Sequence, residues 1–228
     1  MLHINLETCS STQLHLKEQI QNDQGLLHQD VIVSTKVQTA GVGRGKNTWQ
    51  HFEGAISMSC LLPAQNPLTT APLKIGYFVS QFFEQKFNEE VLLKWPNDLM
   101  NSDNEKVGGI ICQLIENRII VGIGINIHQS SEFSKMKFKC NGLNLDPKKI
   151  NTSDLSQQLY KYLLDNISED FSVEKWNKKC SHFKKQVEIK DEFVSEFGLF
   201  ESVSDIGEAI LSNNGTIKKV LTGSLFII

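Results

Sequence analysis

The chain has 228 residues, of which 40% are hydrophobic and 21% are charged, a balance typical of a globular rather than a disordered protein. Its formal net charge of −3 at pH 7 argues against a DNA-binding protein, because such proteins usually carry a basic face. We see no uninterrupted apolar run long enough to span a membrane and no signal peptide in the first ten residues. We therefore expect a cytoplasmic protein with no membrane partner.

The five cysteines are widely scattered, their number is odd, and no pair has CxxC spacing. In a cytoplasmic protein these features indicate free thiols rather than disulfides or a zinc site. The six histidines also lack a metal-binding pattern such as HExxH. The cysteines are Cys9, Cys60, Cys112, Cys140 and Cys180.

Hydrophobic periodicity predicts strands and helices in irregular alternation over most of the chain. The strongest helical signal is the repeat of Ile75, Phe78, Val79, Phe82 and Phe83, which predicts a helix packed on a sheet rather than a cofactor site. The predicted elements are a helix capped at residue 10 or 11 and ending near 21, strands at 30–37, 54–62, 91–94, 107–115 and 118–127, and helices at 152–167 and 173–183.

The texture of the sequence changes near residue 185. Short strand-like runs then alternate with turn residues, and Asn214-Gly215 predicts a tight turn. We therefore predict two domains, an α+β domain with helices packed on a mixed β-sheet at 1–184 and a small β-barrel-like domain at 185–228.

The segment from Gln38 to Trp49 is rich in glycine and carries Arg44 and Lys46. Alternate glycines at 41, 43 and 45 expose backbone N–H groups and let the chain approach a ligand closely. Such a loop can cradle phosphate or carboxylate oxygens, although its spacing matches neither a Walker loop nor GxGxxG. The alternative is a flexible turn between strands.

Three further segments are not explained by ordinary core packing. Lys94-Trp95-Pro96-Asn97-Asp98 ends a strand where polar side chains can point into a crevice; its alternative is an Asx-capped turn. Lys106-Val107-Gly108-Gly109-Ile110 and Gly122-Ile123-Gly124-Ile125-Asn126 place glycines inside apolar strands, where a ligand approaching the backbone, or a β-bulge, would account for them. Two such strands would form a flat floor for a planar ligand.

These four segments, in this order, resemble the motifs of the bacterial biotin–protein ligases. The motifs are a glycine-arginine loop ending in Trp, then KWPND, KVGG and GIGIN, with Ser11-Thr12-Gln13 standing where the family commonly has Ser-Thr-Asn. The resemblance covers about residues 8 to 128 and extends weakly to residues 207–225. It implies a class II synthetase-like (biotin/lipoate ligase) fold followed by a small SH3-like β-barrel.

The resemblance also implies an activity. Biotin would react with ATP, with Mg²⁺ on the phosphates, to give biotinyl-5'-AMP, and biotin would then pass to a lysine of the biotin carboxyl carrier protein of acetyl-CoA carboxylase. Arg44 and Lys106 are the implied catalytic residues, and Asp98 is the implied metal-side residue. The implied biotin contacts are Ser11, Thr12, Gln13, Gln38, Gly41, Val42, Gly43, Arg44, Lys106, Gly108, Gly109, Gly122 and Gly124. The implied ATP contacts are Arg44, Trp49, Asn97, Asp98, Lys106 and Asn126.

The chain departs from the family pattern in its glycine loop. Val42 replaces an arginine, Lys46 a glycine and Asn47 another arginine, which predicts weaker retention of the adenylate than in arginine-rich members. With Ser11 so close to the first residue, we expect no DNA-binding domain and no repressor role. The sequence leaves open a lipoate–protein ligase, a non-catalytic biotin sensor, and whether the protein is a monomer or a homodimer.

Overall fold

The computed structural model describes residues 1–136, 139–191 and 195–228. The helices are α1 (Thr12–Asn22), α2 (Ala71–Phe87), α3 (Thr152–Asn166) and α4 (Val173–Lys178). The strands are β1 (Leu2–Cys9), β2 (Val31–Gln38), β3 (Gly41–Val42), β4 (Thr48–Trp49), β5 (Ile56–Pro63), β6 (Leu92–Lys94), β7 (Asp98–Met100), β8 (Lys106–Ile115), β9 (Arg118–Ile125), β10 (Gln186–Lys190), β11 (Ser195–Val203), β12 (Ala209–Asn213), β13 (Thr216–Val220) and β14 (Ser224–Ile227). Short 3-10 turns lie at Gln24–His28, Leu68–Thr70, Ser131–Lys135 and Pro147–Lys149.

The main sheet has the strand order β1-β2-β5-β9-β8-β7-β6. The β1–β2 pair is parallel, and the other pairs are antiparallel. This mixed sheet with helices packed on it confirms the predicted α+β fold. Strand β1 was not predicted, although Leu2, Ile4 and Leu6 alternate with polar residues in the way typical of a half-buried strand.

The two faces of the sheet carry different helices. Ile32, Met58 and Val121 belong to the large core cluster, which also contains residues of α2 and α3. The neighbouring Val33 and Ile120 belong to a second cluster that includes residues of α1. Since successive side chains of a strand point to opposite faces, α1 covers one face and α2 with α3 the other.

Helix α2 buries the predicted apolar stripe. Ile75, Phe78, Val79, Phe82 and Phe83 are all less than 9% exposed and belong to the large core cluster. The helix ends at its C-cap residue, which adopts a left-handed φ of 53° and donates its backbone N–H to the carbonyl of residue 84.

The predicted hairpin is present, but one predicted helix is too long. Strands β8 and β9 pair in register around the turn at 116–117. The helix predicted at 173–183 ends at Lys178 as α4. Beyond it, the Lys179 carbonyl accepts from the Leu93 N–H, and the Ser181 N–H donates to the Leu93 carbonyl. Pairing with β6 therefore overrides helix propensity here.

The C-terminal strands form an antiparallel sheet with the order β13-β12-β11-β10-β14. This sheet is consistent with the predicted small β domain. Within the described residues its outermost strands, β13 and β14, do not pair with each other, so the predicted closed barrel is not found. The domain division at residue 185 stays a prediction.

The C-terminal sheet is joined closely to the main sheet. Its buried residues Val187, Phe200 and Leu225 belong to the same core cluster as α2 and α3. The fully buried indole of Trp95 donates to the Gly207 carbonyl at 3.0 Å. All five cysteines are free. Across the described ranges, no helix is long and apolar enough to cross a membrane.

Candidate active site

A row of register partners crosses five strands of the main sheet. The row consists of Lys94 (β6), Asp98 (β7), Gly109 (β8), Gly124 (β9) and Ser57 (β5). Directly paired residues on neighbouring strands point to the same face of a sheet. One face therefore carries charge at one end of the row, two glycines in the middle and a hydroxyl at the other end.

The glycines make a floor without side chains, as the sequence predicts, and aromatic and polar groups lie against it. A Cβ at Gly124 would lie 2.5 Å from the Trp49 ring, and one at Gly122 would lie 2.7 Å from Gln13 Oε1. Gly108 pairs with Ile125 and points to the opposite face, where a Cβ would meet the Leu99 side chain at 3.0 Å. Gly108 is thus not part of this floor, because adjacent residues of a strand alternate between faces.

A chain of hydrogen bonds lies at one edge of the floor. Gln38 Oε1 accepts from the backbone N–H of Thr12 at 2.9 Å. The Thr12 and Ser59 hydroxyls are 2.9 Å apart, and Ser59 donates to Gln13 Oε1 at 3.1 Å. Gln13 Nε2 in turn donates to the Ile120 carbonyl at 3.2 Å. Three of the predicted biotin contacts, at positions 12, 13 and 38, are therefore held together.

The remaining predicted polar contact at this edge has a structural role. The Ser11 side chain caps α1 by accepting the N–H of Leu14 at 3.5 Å, and the residue is only 1% exposed. Its hydroxyl is thus directed to the start of the helix that carries Thr12 and Gln13.

An ion pair stands at the charged end of the row. Lys106 Nζ lies 2.6 Å from Asp98 Oδ1, and Lys94 Nζ lies 4.0 Å from Asp98 Oδ2. Burial lowers the pKa of the Lys94 ammonium, and the charge of Asp98 acts in the opposite direction. In the described ranges, no group of three or more His, Cys, Asp or Glu side chains could hold a metal ion.

Hydrogen bonds hold the backbone at Lys106 and the turn that precedes Asp98. The Lys106 N–H donates to the Lys139 carbonyl, and the Asn141 N–H donates to the Lys106 carbonyl. Asn97, a predicted ATP contact, donates its side-chain amide to the Ile110 carbonyl at 2.8 Å and so ties the KWPND turn to β8.

A small cavity opens beside Asn126. It has a volume of about 110 Å³ and is lined by residues of the 52–55 and 126–133 segments. Asn126 Nδ2 donates to the Asn141 carbonyl at 3.0 Å. Asn126 Oδ1, Trp49 Nε1 and His128 Nδ1 are buried and have no hydrogen-bond partner within the described part of the chain. Such atoms can satisfy a polar ligand.

The glycine loop forms a short hairpin of β3 and β4. The Gly43 N–H donates to the Asn47 carbonyl, and the Asn47 N–H donates to the Arg44 carbonyl. A Cβ at Gly41 would lie 2.5 Å from Gln38 Nε2, so the loop passes directly over the polar edge. Val42 is 37% exposed.

Arg44 reaches a part of the molecule that its sequence motif did not predict. Its Nη2 donates to the Gly223 carbonyl at 2.7 Å and to the Ser224 hydroxyl at 3.1 Å, next to β14. The predicted ligand contact thus has protein partners in the C-terminal sheet.

The sequence motifs also did not predict two serine hydroxyls of β5 that lie near the floor. Ser59 links Thr12 to Gln13, and Ser57 accepts or donates a hydrogen bond with His51 Nδ1 at 3.0 Å. Burial lowers the pKa of His51. The serines alternate along β5 directly opposite the glycines of β9, and this alternation was a readable signal once the two strands were paired.

The chain matches known proteins over most of its length. Residues 6–130, just over half of the chain, match the biotin/lipoate A/B protein ligase family. The bifunctional ligase/repressor BirA of Bacillus spizizenii is 34% identical over 137 residues, which cover 48% of this chain and 42% of that protein. The corresponding BirA of Bacillus subtilis is 26% identical over 236 residues, covering 96% of this chain and 72% of that protein.

Solved structures share the fold. The biotin protein ligase of Aquifex aeolicus, in complex with biotin and ATP, has a TM-score of 0.75 at 25% identity and covers 100% of this chain and 99% of its own. A Helicobacter pylori biotin acetyl coenzyme A carboxylase synthetase has a TM-score of 0.69 at 22% identity, covering 96% of this chain and 100% of its own, and supports the fold alone. From the family match and these folds, the chain belongs to the biotin/lipoate A/B protein ligase family.

Proposed function

We propose that the protein is a biotin–protein ligase that forms biotinyl-5'-AMP and then biotinylates a lysine of the biotin carboxyl carrier protein of acetyl-CoA carboxylase. One observation carries the proposal: Asp98, which lies in the same row of the sheet as Gly109 and Gly124, holds Lys106 Nζ at 2.6 Å beside the side-chain-free floor. The Aquifex aeolicus relative, whose structure contains biotin and ATP, supports this choice of substrates. These substrates imply a cytoplasmic location.

In the first half-reaction, a biotin carboxylate oxygen attacks the α-phosphorus of ATP, and the bond to the pyrophosphate leaving group breaks. Two anionic groups must approach each other, and charge builds up on the phosphoryl oxygens. Lys106 is the cation that offsets this charge, because it stands beside the floor where the carboxylate would lie. Asp98 holds the ammonium in place before the substrates arrive, which is the preorganisation that such catalysis requires.

In the second half-reaction, the neutral amine of the carrier lysine attacks the acyl carbon of the adenylate. The bond between that carbon and the AMP oxygen breaks, AMP leaves, and the amine proton passes to solvent. The floor and the overlying hairpin of β3 and β4 hold the acyl carbon in position for this attack.

The polar edge favours biotin over lipoate. The ureido ring of biotin presents two N–H donors and one carbonyl acceptor, whereas the dithiolane ring of lipoate presents neither. Thr12, Gln13, Gln38 and Ser59 supply matching hydroxyl and amide groups. A site that buries hydrogen-bonding groups rejects a ligand that leaves them unpaired.

The cavity at Asn126 suits a purine. The unpaired Asn126 Oδ1 can accept from an exocyclic amino group, and Phe52 and Phe133 lie beside it, with ring centroids 4.5 Å apart. We assign ATP's adenine to this cavity.

Magnesium fits this site only with phosphate ligands. Asp98 is the carboxylate at the charged end of the floor, but its Oδ1 contacts Lys106 and its Oδ2 lies 4.0 Å from Lys94, so this residue alone would not hold the ion. Mg²⁺ commonly takes one or two carboxylates and completes its shell with phosphate and water. When bound, the ion would neutralise charge on the triphosphate.

The test is exchange of labelled pyrophosphate into ATP, measured with biotin or with lipoate as the acid. We expect exchange with biotin, at least a hundredfold slower in Lys106→Ala and unchanged in Lys149→Ala, which alters a lysine whose side chain is 82% exposed. Exchange with lipoate instead would assign the protein to lipoate ligation. Biotin binding without exchange would support a sensor that has lost catalysis.

A further inference from the structure

Arg44 contacts two residues of the C-terminal sheet, Gly223 and Ser224, which follow it in the sequence by 179 and 180 positions. Arginine remains charged at all physiological pH values and has five N–H donors. Both acceptors here, the Gly223 carbonyl and the Ser224 hydroxyl, are neutral. Hydrogen bonds from one nitrogen to two neutral oxygens orient the guanidinium without neutralising its charge, which stays available to an anion.

The acceptor side is built for this contact. Gly223 has a φ of +138°, which L side chains rarely adopt, and a Cβ there would lie 2.5 Å from the Ile189 side chain. Ser224 begins β14 and pairs with Lys190 of β10. The sheet therefore fixes the position of the carbonyl and the hydroxyl that receive Arg44.

The Arg44 side chain needs these contacts to be ordered. Residues 41–49 contain a single arginine, Arg44. It occupies the turn of the hairpin and is followed by Gly45, which has a φ of +63° and where an added Cβ would meet no other atom within 4 Å. A long side chain on so open a turn would lose considerable rotamer entropy on binding an anion, unless other contacts had already ordered it.

We propose that Gly223 and Ser224 are positioning residues of the active site, which hold Arg44 ready for the phosphate of the acyl-adenylate. This rests on the proposed function for the identity of the anion. The C-terminal sheet thereby supplies part of the order that the missing arginines at positions 42 and 47 would otherwise give the loop. If the contact instead withheld Arg44 from the ligand, loss of the contact would slow the release of the adenylate.

The test compares Ser224→Ala with Ser195→Ala in the full-length protein. Ser195 is a matched control because its hydroxyl is also in the C-terminal sheet but donates to Glu188, at 2.7 Å on the surface. Ser224→Thr keeps the hydroxyl and should restore wild-type behaviour. Two properties are measured: the rate of tryptic cleavage after Arg44 without substrates, and the rate of release of biotinyl-5'-AMP formed from biotin and ATP.

We expect Ser224→Ala to speed both tryptic cleavage and adenylate release about three- to tenfold, the size of one typical net hydrogen bond. Its thermal unfolding midpoint should equal that of Ser195→Ala. In an Arg44→Lys background the same change should have little effect on release. Equal rates in Ser224→Ala and Ser195→Ala, or slower release in Ser224→Ala, would overturn the proposal.

The two measurements separate this inference from the proposed function. If the wild-type protein forms no adenylate, the proposed function fails, and unchanged tryptic cleavage in Ser224→Ala would independently reject the positioning contact. If the wild-type protein forms adenylate but the serine variants behave alike, only the positioning role fails.

Discussion

The floor of the site and the glycine loop above it are both rich in glycine, but they are built differently. The floor lies on β8 and β9, where strand register determines which face each residue occupies. The loop at 41–49 is a hairpin of two short strands with two residues each, and its arginine is held by the C-terminal sheet. A strand-built surface is thus positioned locally, whereas the loop depends on residues far away in the sequence.

The largest effect is expected from a substitution at the charged end of the floor. Asp98→Asn removes the carboxylate that holds Lys106 at 2.6 Å. We expect the rate of biotin-dependent pyrophosphate exchange to fall about a hundredfold, because a misplaced catalytic group can cost that much. Asp146→Asn, on a half-exposed surface residue, should leave the rate unchanged. Similar rates for both variants would show that Asp98 does not position the lysine.

The second test fills the floor itself. In Gly124→Ala the new Cβ would lie 2.5 Å from the Trp49 ring, so the indole must move. We expect biotin affinity, measured by calorimetry, to weaken about tenfold or more, in line with the cost of overpacking. Gly76→Ala adds a methyl at ordinary contact distance, 3.4 Å from Leu93, and serves as the control. Unchanged affinity in Gly124→Ala would mean that biotin does not use this floor.

The third test addresses the packing of the C-terminal sheet against the rest of the molecule, because this packing positions the residues that hold the loop. His182 is fully buried, and its ring packs on Trp176 and on Phe200 of the C-terminal sheet. Burial lowers the pKa of His182 to about 3. The unfolded chain, with an ordinary histidine pKa of about 6.5, takes up a proton that the folded chain refuses, so stability is full above about pH 6.5 and falls below it.

The free energy of unfolding, measured with urea, should therefore fall as the pH is lowered from about 6 to 4. His182 should contribute up to about 1.4 kcal/mol per pH unit to this fall. His182→Phe should flatten that part of the pH dependence, even if it lowers stability overall. An unchanged slope in the variant would argue that the buried imidazole is already protonated in the folded protein.

The smallest effect is expected at the polar edge. Ser59→Ala removes the hydroxyl that links Thr12 to Gln13. We expect biotin binding to weaken roughly fivefold, the value of about one hydrogen bond, and lipoate binding to stay the same. Ser156→Ala, at a buried serine of α3, is the matched control. Equal loss for both acids would indicate a general packing defect.

Much of the floor was predictable because strands convert sequence alternation into a surface. Gly109, Gly122 and Gly124 lie together as expected, whereas the ion pair between Asp98 and Lys106 was not predicted. Gly108 was placed on the wrong face because two adjacent glycines were treated alike, although neighbours in a strand point in opposite directions. Strand β1 was missed although the alternation of Leu2, Ile4 and Leu6 with polar residues was a readable signal.

The partners of loop and turn residues were not predictable from local sequence. Arg44 was expected at a ligand, yet it contacts Gly223 and Ser224. Nothing in the KWPND motif predicted that the Trp95 indole would donate to the Gly207 carbonyl. Both contacts depend on how the C-terminal sheet packs against the main sheet. Local patterns contain no information about such packing, which is a property of the whole core.

Detection of the acyl-adenylate itself would show whether the floor beside Lys106 activates biotin. Enzyme in excess is mixed with biotin, ATP and Mg²⁺, quenched in acid, and analysed by mass spectrometry for biotinyl-5'-AMP. We predict about one adenylate per wild-type site and at least a hundredfold slower formation in Lys106→Ala. Equal rates of adenylate formation in the two proteins would rule out the proposed role of Lys106, and no adenylate from wild-type protein that binds both substrates would rule out the proposed activity.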